Sequence, residues 1–147
     1  MENGSFKKVG ESEATIYGPR KLLVCGFSTA EQGRFLAMLH EHQFSDIPVV
    51  FVADELSDAI LKDLLALPSS TGAGVDSALE RATIMAGVTE RELNLLINSY
   101  RATQLPSQLW AALTPTSENW TLSQLLKELS TEREEFRKMK QRKQQSE

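Results

Sequence analysis

The most constraining feature of the sequence is a short apolar segment followed at once by a helix-capping sequence, and this pattern occurs twice. Residues 22–27 (LLVCGF) lead into 28–31 (STAE), and residues 82–88 (ATIMAGV) lead into 89–92 (TERE). In a Ser/Thr-x-x-Glu capping box, the hydroxyl and the carboxylate each accept a hydrogen bond from a backbone N–H at the start of a helix. The pattern therefore predicts a strand followed by a helix at two places.

Each predicted strand–helix pair is followed by another apolar segment and another segment with helical spacing. Residues 47–53 and 108–113 are the second and fourth predicted strands. Helical spacing then comes from Leu56, Ile60, Leu61, Leu64 and Leu65 in the first half, and from Leu122, Leu125, Leu126 and Leu129 in the second. Strands that alternate with helices are typical of a parallel sheet. We predict an α/β fold with one mostly parallel four-stranded sheet flanked by helices, whose first and third strands are central.

The two halves are predicted to be tandem β-α-β-α units, residues 21–67 and 81–133, joined by a linker over 68–80. Equivalent residues such as Gly26 and Gly87 are 61 positions apart. The alternative is that any alternating α/β chain repeats strand, cap and helix without duplication. Identities between the halves are few, so both interpretations stay open.

A chain of 147 residues predicts one domain, which we place at residues 21–133. Residues 1–20 are predicted to be a flexible N-terminal lead-in, because glycine, proline and charged residues interrupt them. Residues 134–147 are predicted to be a basic helical tail, since the C-terminal helix extends beyond its apolar stripe and therefore beyond the core. No apolar run approaches the roughly 20 residues that span a bilayer.

No arrangement of residues predicts catalysis, a metal site or a cofactor. The one cysteine, Cys25, excludes an internal disulfide and a cysteine-based zinc site, and it lies in an apolar segment. His40 and His42 are two positions apart on a helix, so they cannot share a metal. Ser28 lacks the second glycine of a nucleophile elbow. An enzyme is therefore the least supported class of function.

A regulatory domain that binds a small anionic ligand is one alternative. Open α/β sheets bind ligands at the carboxyl ends of strands, which here are the turns 26–29 and 87–90. The candidate ligand residues are Gly26, Ser28, Gly87 and Thr89. Against this function, Glu31 and Glu92 are placed to occupy the helix N-termini and to repel an anion.

The function that we favour is a non-catalytic protein-interaction or assembly module that binds through its C-terminal end. Residues 136–143 contain five bases and no acid, although the whole chain has a net charge of −4. The candidate partner-binding residues are Trp120, Phe136, Arg137, Lys138, Lys140, Arg142 and Lys143. An acidic protein suits this charge best, and RNA phosphate is the less favoured partner. The competing interpretations are a solvated basic tail, and a structural Trp120 that packs on the next helix as a hydrophobic staple.

Several short motifs in the second half point to a known family. They are GVTEREL at 87–93, AALTPT at 111–116, NWTL at 119–122 and LLKEL at 125–129. With these motifs, residues 81–133 resemble a small domain of unknown function found in bacteria and plants. The resemblance implies a soluble stand-alone domain with no established activity. For a plant protein it also implies the plastid stroma, with the cytoplasm as the alternative.

Overall fold

The structure is a computed structural model that describes residues 13–145, with side chains described up to residue 143. Strands and helices alternate along the chain, as the sequence predicts. The strands are β1 (Lys21–Cys25), β2 (Val49–Phe51), β3 (Ala82–Ala86) and β4 (Leu109–Ala112). The helices are α1 (Thr29–Glu41), α2 (Leu61–Leu65), α3 (Glu90–Arg101) and α4 (Leu122–Gln145), with short 3-10 turns at Asp54–Leu56 and Ser117–Asn119.

The four strands form one sheet in the order β2-β1-β3-β4, so the predicted central position of the first and third strands is confirmed. The prediction of a mostly parallel sheet is wrong, because the sheet is mixed. β1 pairs with β2 and β3 with β4 in parallel, but the central strands β1 and β3 are antiparallel, with Leu23 opposite Ile84. The two strands within each half are therefore parallel to each other. The long segment between α2 and β3 allows the strands of the second half to run in the opposite direction to those of the first.

A hydrophobic core lies on each face of the sheet. On one face, the core contains Phe27, Phe35, Leu96 and Tyr100, which pack between the strands and the helices α1 and α3. On the other face, α2 and α4 pack on the sheet through their buried leucines, which are Leu61, Leu64, Leu65, Leu122, Leu125 and Leu126. Full burial of one such side chain stabilises the fold by about 1.5–3 kcal/mol. The two cores explain why the central strands are apolar on both faces.

Parts of the predicted lead-in and linker are hydrogen-bonded to the strand-to-helix turns. Residues 1–12 lie outside the described residues, but the backbone N–H of Ile16 donates to Val88 O at 2.8 Å, and Gly87 N donates to Tyr17 O at 3.1 Å. In the linker, Ser77 N donates to Phe27 O at 3.1 Å. Residues around 16 and 77 therefore run beside the strand-to-helix turns.

α4 is packed at its start and exposed along the rest of its described length. Leu122, Leu125 and Leu126 are buried, and Leu129 is half-buried against the same core. Every side chain from 131 to 143 is exposed. We call residues 131–143 the projecting helix. At 1.5 Å per residue it is about 20 Å long.

Candidate functional site

Both predicted capping boxes are present at the strand-to-helix turns. In the first, Ser28 N donates to Glu31 Oε1 at 2.9 Å and Glu31 N donates to Ser28 Oγ at 3.3 Å. In the second, Thr89 N donates to Glu92 Oε1 at 2.9 Å and Glu92 N donates to Thr89 Oγ1 at 3.0 Å. These contacts start α1 and α3 by satisfying N–H groups that have no partner within the helix.

Each capping glutamate also binds an arginine from the other half of the chain. Arg20 binds Glu92 with two hydrogen bonds of 2.7 Å, and Arg81 binds Glu31 at 2.6 Å. The Arg20 guanidinium lowers the pKa of Glu92 to about 2. Hydrogen bonding from the Ser28 backbone, with a further contribution from Arg81, lowers the pKa of Glu31. Both carboxylates are therefore held in the charged form by groups of the chain itself.

Other helix N-terminal donors at these turns also bind acceptors of the chain. Thr29 donates to Asp76 Oδ1 from its N–H at 2.7 Å and from its Oγ1 at 2.8 Å, which lowers the pKa of Asp76. At the second turn, Glu90 N donates to Ala14 O at 3.1 Å. An anionic ligand at either turn would have to displace these contacts.

The candidate ligand residues lie at two separate places. Because β1 and β3 are antiparallel, Gly26 with Ser28 and Gly87 with Thr89 lie beyond opposite ends of the central strand pair. Gly26 has a φ of +83° and lies against the linker, where an added Cβ would be 2.5 Å from Leu79 O. The turns are thus closely covered by neighbouring backbone and do not combine into one site.

Trp120 lies with the core and not with the other partner-binding candidates. It is half-buried against the core that α2 and α4 share, and its carbonyl accepts a hydrogen bond from Leu61 N at 2.9 Å. Thr121 Oγ1 accepts from Gln124 N at 3.1 Å, as an N-cap hydroxyl does. These contacts are those of a residue that fixes the start of α4.

The remaining partner-binding candidates are on the projecting helix, where Phe136 and Met139 are 62% and 60% exposed. Lys140 Nζ is 5.5 Å from the centroid of the Phe136 ring, and Arg137 pairs with Glu134 at 3.4 Å. Lys138, Arg142 and Lys143 are exposed on the same helix. The structure therefore gathers six of the seven predicted residues on one element.

Sequence reasoning missed the two arginines and a cleft between α1 and α3. The arginines have partners 50 and 72 residues away, so no local motif indicates the contacts. The cleft has a volume of about 430 Å³, and its polar lining comes from Arg34, Glu41, His42, Ser99, Thr103 and Gln104.

Cys25 is fully buried, and burial raises the pKa of its thiol to about 12.

Within the part of the chain that the structure describes, no group of three or more His, Cys, Asp or Glu side chains is placed to hold a metal ion. No helix over the same residues is both long and apolar enough to cross a membrane. Searches of curated proteins and of solved structures found no match. Residues 81–136 match the family described as Domain of unknown function (DUF3783), so a DUF3783 domain extends from the residue before β3 to Phe136 in α4.

Proposed function

We propose that the protein is a non-catalytic interaction module that binds a partner protein through the projecting helix. The observation that carries this proposal is the position of Phe136 and Met139. They are the two most exposed large apolar side chains among the described residues. A spacing of three residues places them on one face of the helix. Apolar anchors at such spacing are how a helix docks into a groove of another protein.

The charge around these anchors indicates the chemistry of the partner. Residues 136–143 contain Arg137, Lys138, Lys140, Arg142 and Lys143 and no acid. A complementary surface would have an apolar groove for Phe136 and Met139 with carboxylates on its rim. Such carboxylates would attract the helix over a distance of about 10 Å at 0.1 M salt and less at higher salt. The partner that fits is thus an acidic protein with an apolar groove.

The fold itself makes little use of the projecting helix. The buried stripe of α4 reaches Leu126, with Leu129 half-buried, and all side chains after residue 130 are exposed up to residue 143. In the projecting helix, Arg133 forms an exposed ion pair with Glu80 of the linker at 3.3 Å. Exposed ion pairs of this kind contribute about 0–1 kcal/mol. A binding role accounts for an exposed apolar pair that folding does not need.

The test compares partner capture by three forms of the full chain. The binding variant is Phe136→Ser with Met139→Ser, and the matched control is Leu36→Ser with Leu95→Ser, which also removes two exposed apolar side chains. We expect the wild type and the control to enrich an acidic protein from native extract. The amount of this protein captured by the binding variant should be at least tenfold lower. The same differences should appear in the Kd measured with purified partner. Equal binding by all three forms would contradict the proposal.

We also infer that the two halves are tandem copies of one unit. The inference is supported by contacts between the halves that occur twice. In the second contact of each pair, the two residues have exchanged halves, and each is replaced by its equivalent 61 positions away. Arg20 binds Glu92 and Arg81 binds Glu31, while Leu61 N donates to Trp120 O and Leu122 N donates to Ala59 O. A profile built from relatives of residues 21–67 should match the second half at this offset. A match to an unrelated fold would contradict the inference.

The other predictions of function have less support from the contacts. The anionic-ligand alternative requires displacement of Asp76 from Thr29, and a thermal-shift screen with phosphate and nucleotides tests it. RNA binding through the same basic residues is tested by mobility shift with single-stranded RNA. The plastid stroma and the cytoplasm stay predictions, and imaging of the tagged full-length protein in its own cells distinguishes them.

A further inference from the structure

We propose that the outer edge of β4 pairs with β4 of a second copy of this chain, in antiparallel orientation about a two-fold axis at Ala111. The pairing would join two four-stranded sheets into one. This proposal uses a different surface from the projecting helix. It therefore stands or fails independently of the function proposed above.

The two edge strands of the sheet differ in how the chain covers them. At the outer edge of β2, Ser70 N donates to Val49 O at 2.7 Å and Phe51 N donates to Thr71 O at 2.9 Å. The segment that covers β2 is residues 69–71. The equivalent residues in the second half, 61 positions later, are 130–132, and these are part of α4. Among the described residues, no equivalent segment lies on the outer edge of β4, because the chain there continues as a helix.

The backbone of β4 offers hydrogen-bonding groups at this edge. Leu109 N donates to Arg81 O at 3.0 Å and Leu113 N donates to Met85 O at 2.8 Å, so these residues face β3. Backbone direction alternates along a strand, and the N–H and C=O groups of Trp110 and Ala112 therefore face outward. No described residue is hydrogen-bonded to them. Such a row of groups is a template for another strand.

The sequence around β4 lacks the charges that usually protect an edge. Residues 102–117 form the longest uncharged stretch of the chain. Natural edge strands often carry lysine or another charge that opposes pairing. The absence of charge is especially important for two identical strands. In an antiparallel pair of copies, each side chain would face its own copy or a near neighbour, so a charged residue would face a like charge. Two copies of β4 meet no like charges along the strand.

The side chains of β4 are self-complementary in the proposed register. With the axis at Ala111, Ala111 faces its own copy at the closest spacing in an antiparallel pair, about 4.5 Å between Cα atoms. Its small side chain permits this approach. Trp110, half-buried on the α1 and α3 face, is then opposite Ala112 of the second copy, which pairs a large side chain with a small one.

An unsatisfied polar group lies immediately before β4. Gln108 Nε2 is buried and has no hydrogen-bond partner, while Gln108 Oε1 accepts from Thr83 Oγ1 at 2.6 Å. Buried polar groups usually have such a partner. Next to Gln108 and Trp110, a cleft of about 260 Å³ gives the partner strand room.

A disulfide trap tests the register. Two Ala111→Cys chains would place their thiols opposite each other across the axis. In Ala112→Cys chains, the two Cα atoms would be more than about 7 Å apart, which is too far for a disulfide. Cys25 is fully buried and should not interfere. We expect mild oxidation of the purified protein to cross-link Ala111→Cys chains at least tenfold faster than Ala112→Cys chains. Equal rates, or no cross-link in either, would overturn the proposal.

Sedimentation of the unmodified protein tests the association itself. We expect a monomer–dimer equilibrium whose Kd rises at least tenfold in Ala112→Glu, because the carboxylate would be desolvated against Trp110. The matched control is Ala37→Glu, on an exposed position of α1, with Kd unchanged. A wild type that stays monomeric at every concentration would overturn the proposal, and so would pairing of β4 with another protein only.

Discussion

Arg20 joins the segment before β1 to the first turn of α3 through two hydrogen bonds of 2.7 Å to the carboxylate of Glu92. Arg20 also contacts Asp46 at 2.9 Å. Two parallel hydrogen bonds from one guanidinium are stronger and more directional than a single ionic contact. Since Glu92 also caps α3, one carboxylate connects a helix start to the other half of the chain.

The first prediction concerns the energy of this contact. Arg20→Ala should lower the free energy of unfolding by about 1–2 kcal/mol. This is at or below the lower end of the roughly 1.5–3 kcal/mol range for hydrogen bonds to charged groups, because Arg20 is partly exposed and solvent screens it. Urea unfolding at pH 7 measures the change. Arg101→Ala, at an exposed position of α3, is the control and should change stability by less than about 0.5 kcal/mol.

A double-mutant cycle separates the pair from its surroundings. If the contact carries the effect, Glu92→Ala combined with Arg20→Ala should cost clearly less than the sum of the two single changes. Additive costs would show that Arg20 and Glu92 act independently.

The second prediction is a loss of stability in acid that depends on Glu92. The pKa of Glu92 is about 2 in the folded protein, below its ordinary value of 4.5. Its stabilising contribution is complete above pH 4.5 and is lost as the pH falls from there towards 2. The stability difference between the wild type and Glu92→Gln should therefore shrink over this interval. Urea midpoints at pH 7, 4.5 and 3 measure it, and a constant difference would contradict the assignment.

Local sequence signals predicted the elements well, because their causes are local. The hydroxyl and carboxylate of each capping box are three residues apart, and both boxes form as predicted. The C-terminal helix follows in the same way from the spacing of its leucines. Element type and the starts of α1 and α3 were therefore accessible without the structure.

The direction of the central strands was not accessible in this way. An apolar strand such as β3 has the same composition whether its neighbour is parallel or antiparallel. What accompanies the antiparallel arrangement is a set of long-range contacts, including Arg20 with Glu92 and Arg81 with Glu31. Neither arginine belongs to a local motif. The same reason explains why the sequence did not show that the two predicted ligand turns lie beyond opposite ends of the central strand pair.

The third prediction contrasts two glycines. Gly26 has a φ of +83° and is covered by the backbone of residues 79–81, whereas Gly33 lies in α1 with nothing within 4 Å of an added Cβ. Gly26→Ala should destabilise by about 2 kcal/mol or more, since the left-handed conformation alone costs about 1–2 kcal/mol. Gly33→Ala should stabilise by about 0.5–1 kcal/mol through helix propensity. Thermal unfolding of both variants measures the opposite signs, and equal effects would contradict the packing described at the first turn.

The last prediction is that the projecting helix is not required for folding. Removal of residues 134–147 leaves the buried leucines of α4 and the ion pair of Arg133 in place, so the free energy of unfolding should change by less than about 0.5 kcal/mol. Leu126→Ala should cost about 2–5 kcal/mol, because Leu126 is 6% exposed and its truncation opens a cavity in the core. Urea unfolding of both forms measures the contrast.

The same truncation also separates folding from binding. If the projecting helix is the docking element, the truncated protein should unfold like the wild type yet lose the partner, and wild-type affinity should fall as salt rises because ionic attraction is screened. A loss of several kcal/mol on truncation would show that residues 134–147 stabilise the domain. In that case the exposure of Phe136 and Met139 could no longer be assigned to binding alone.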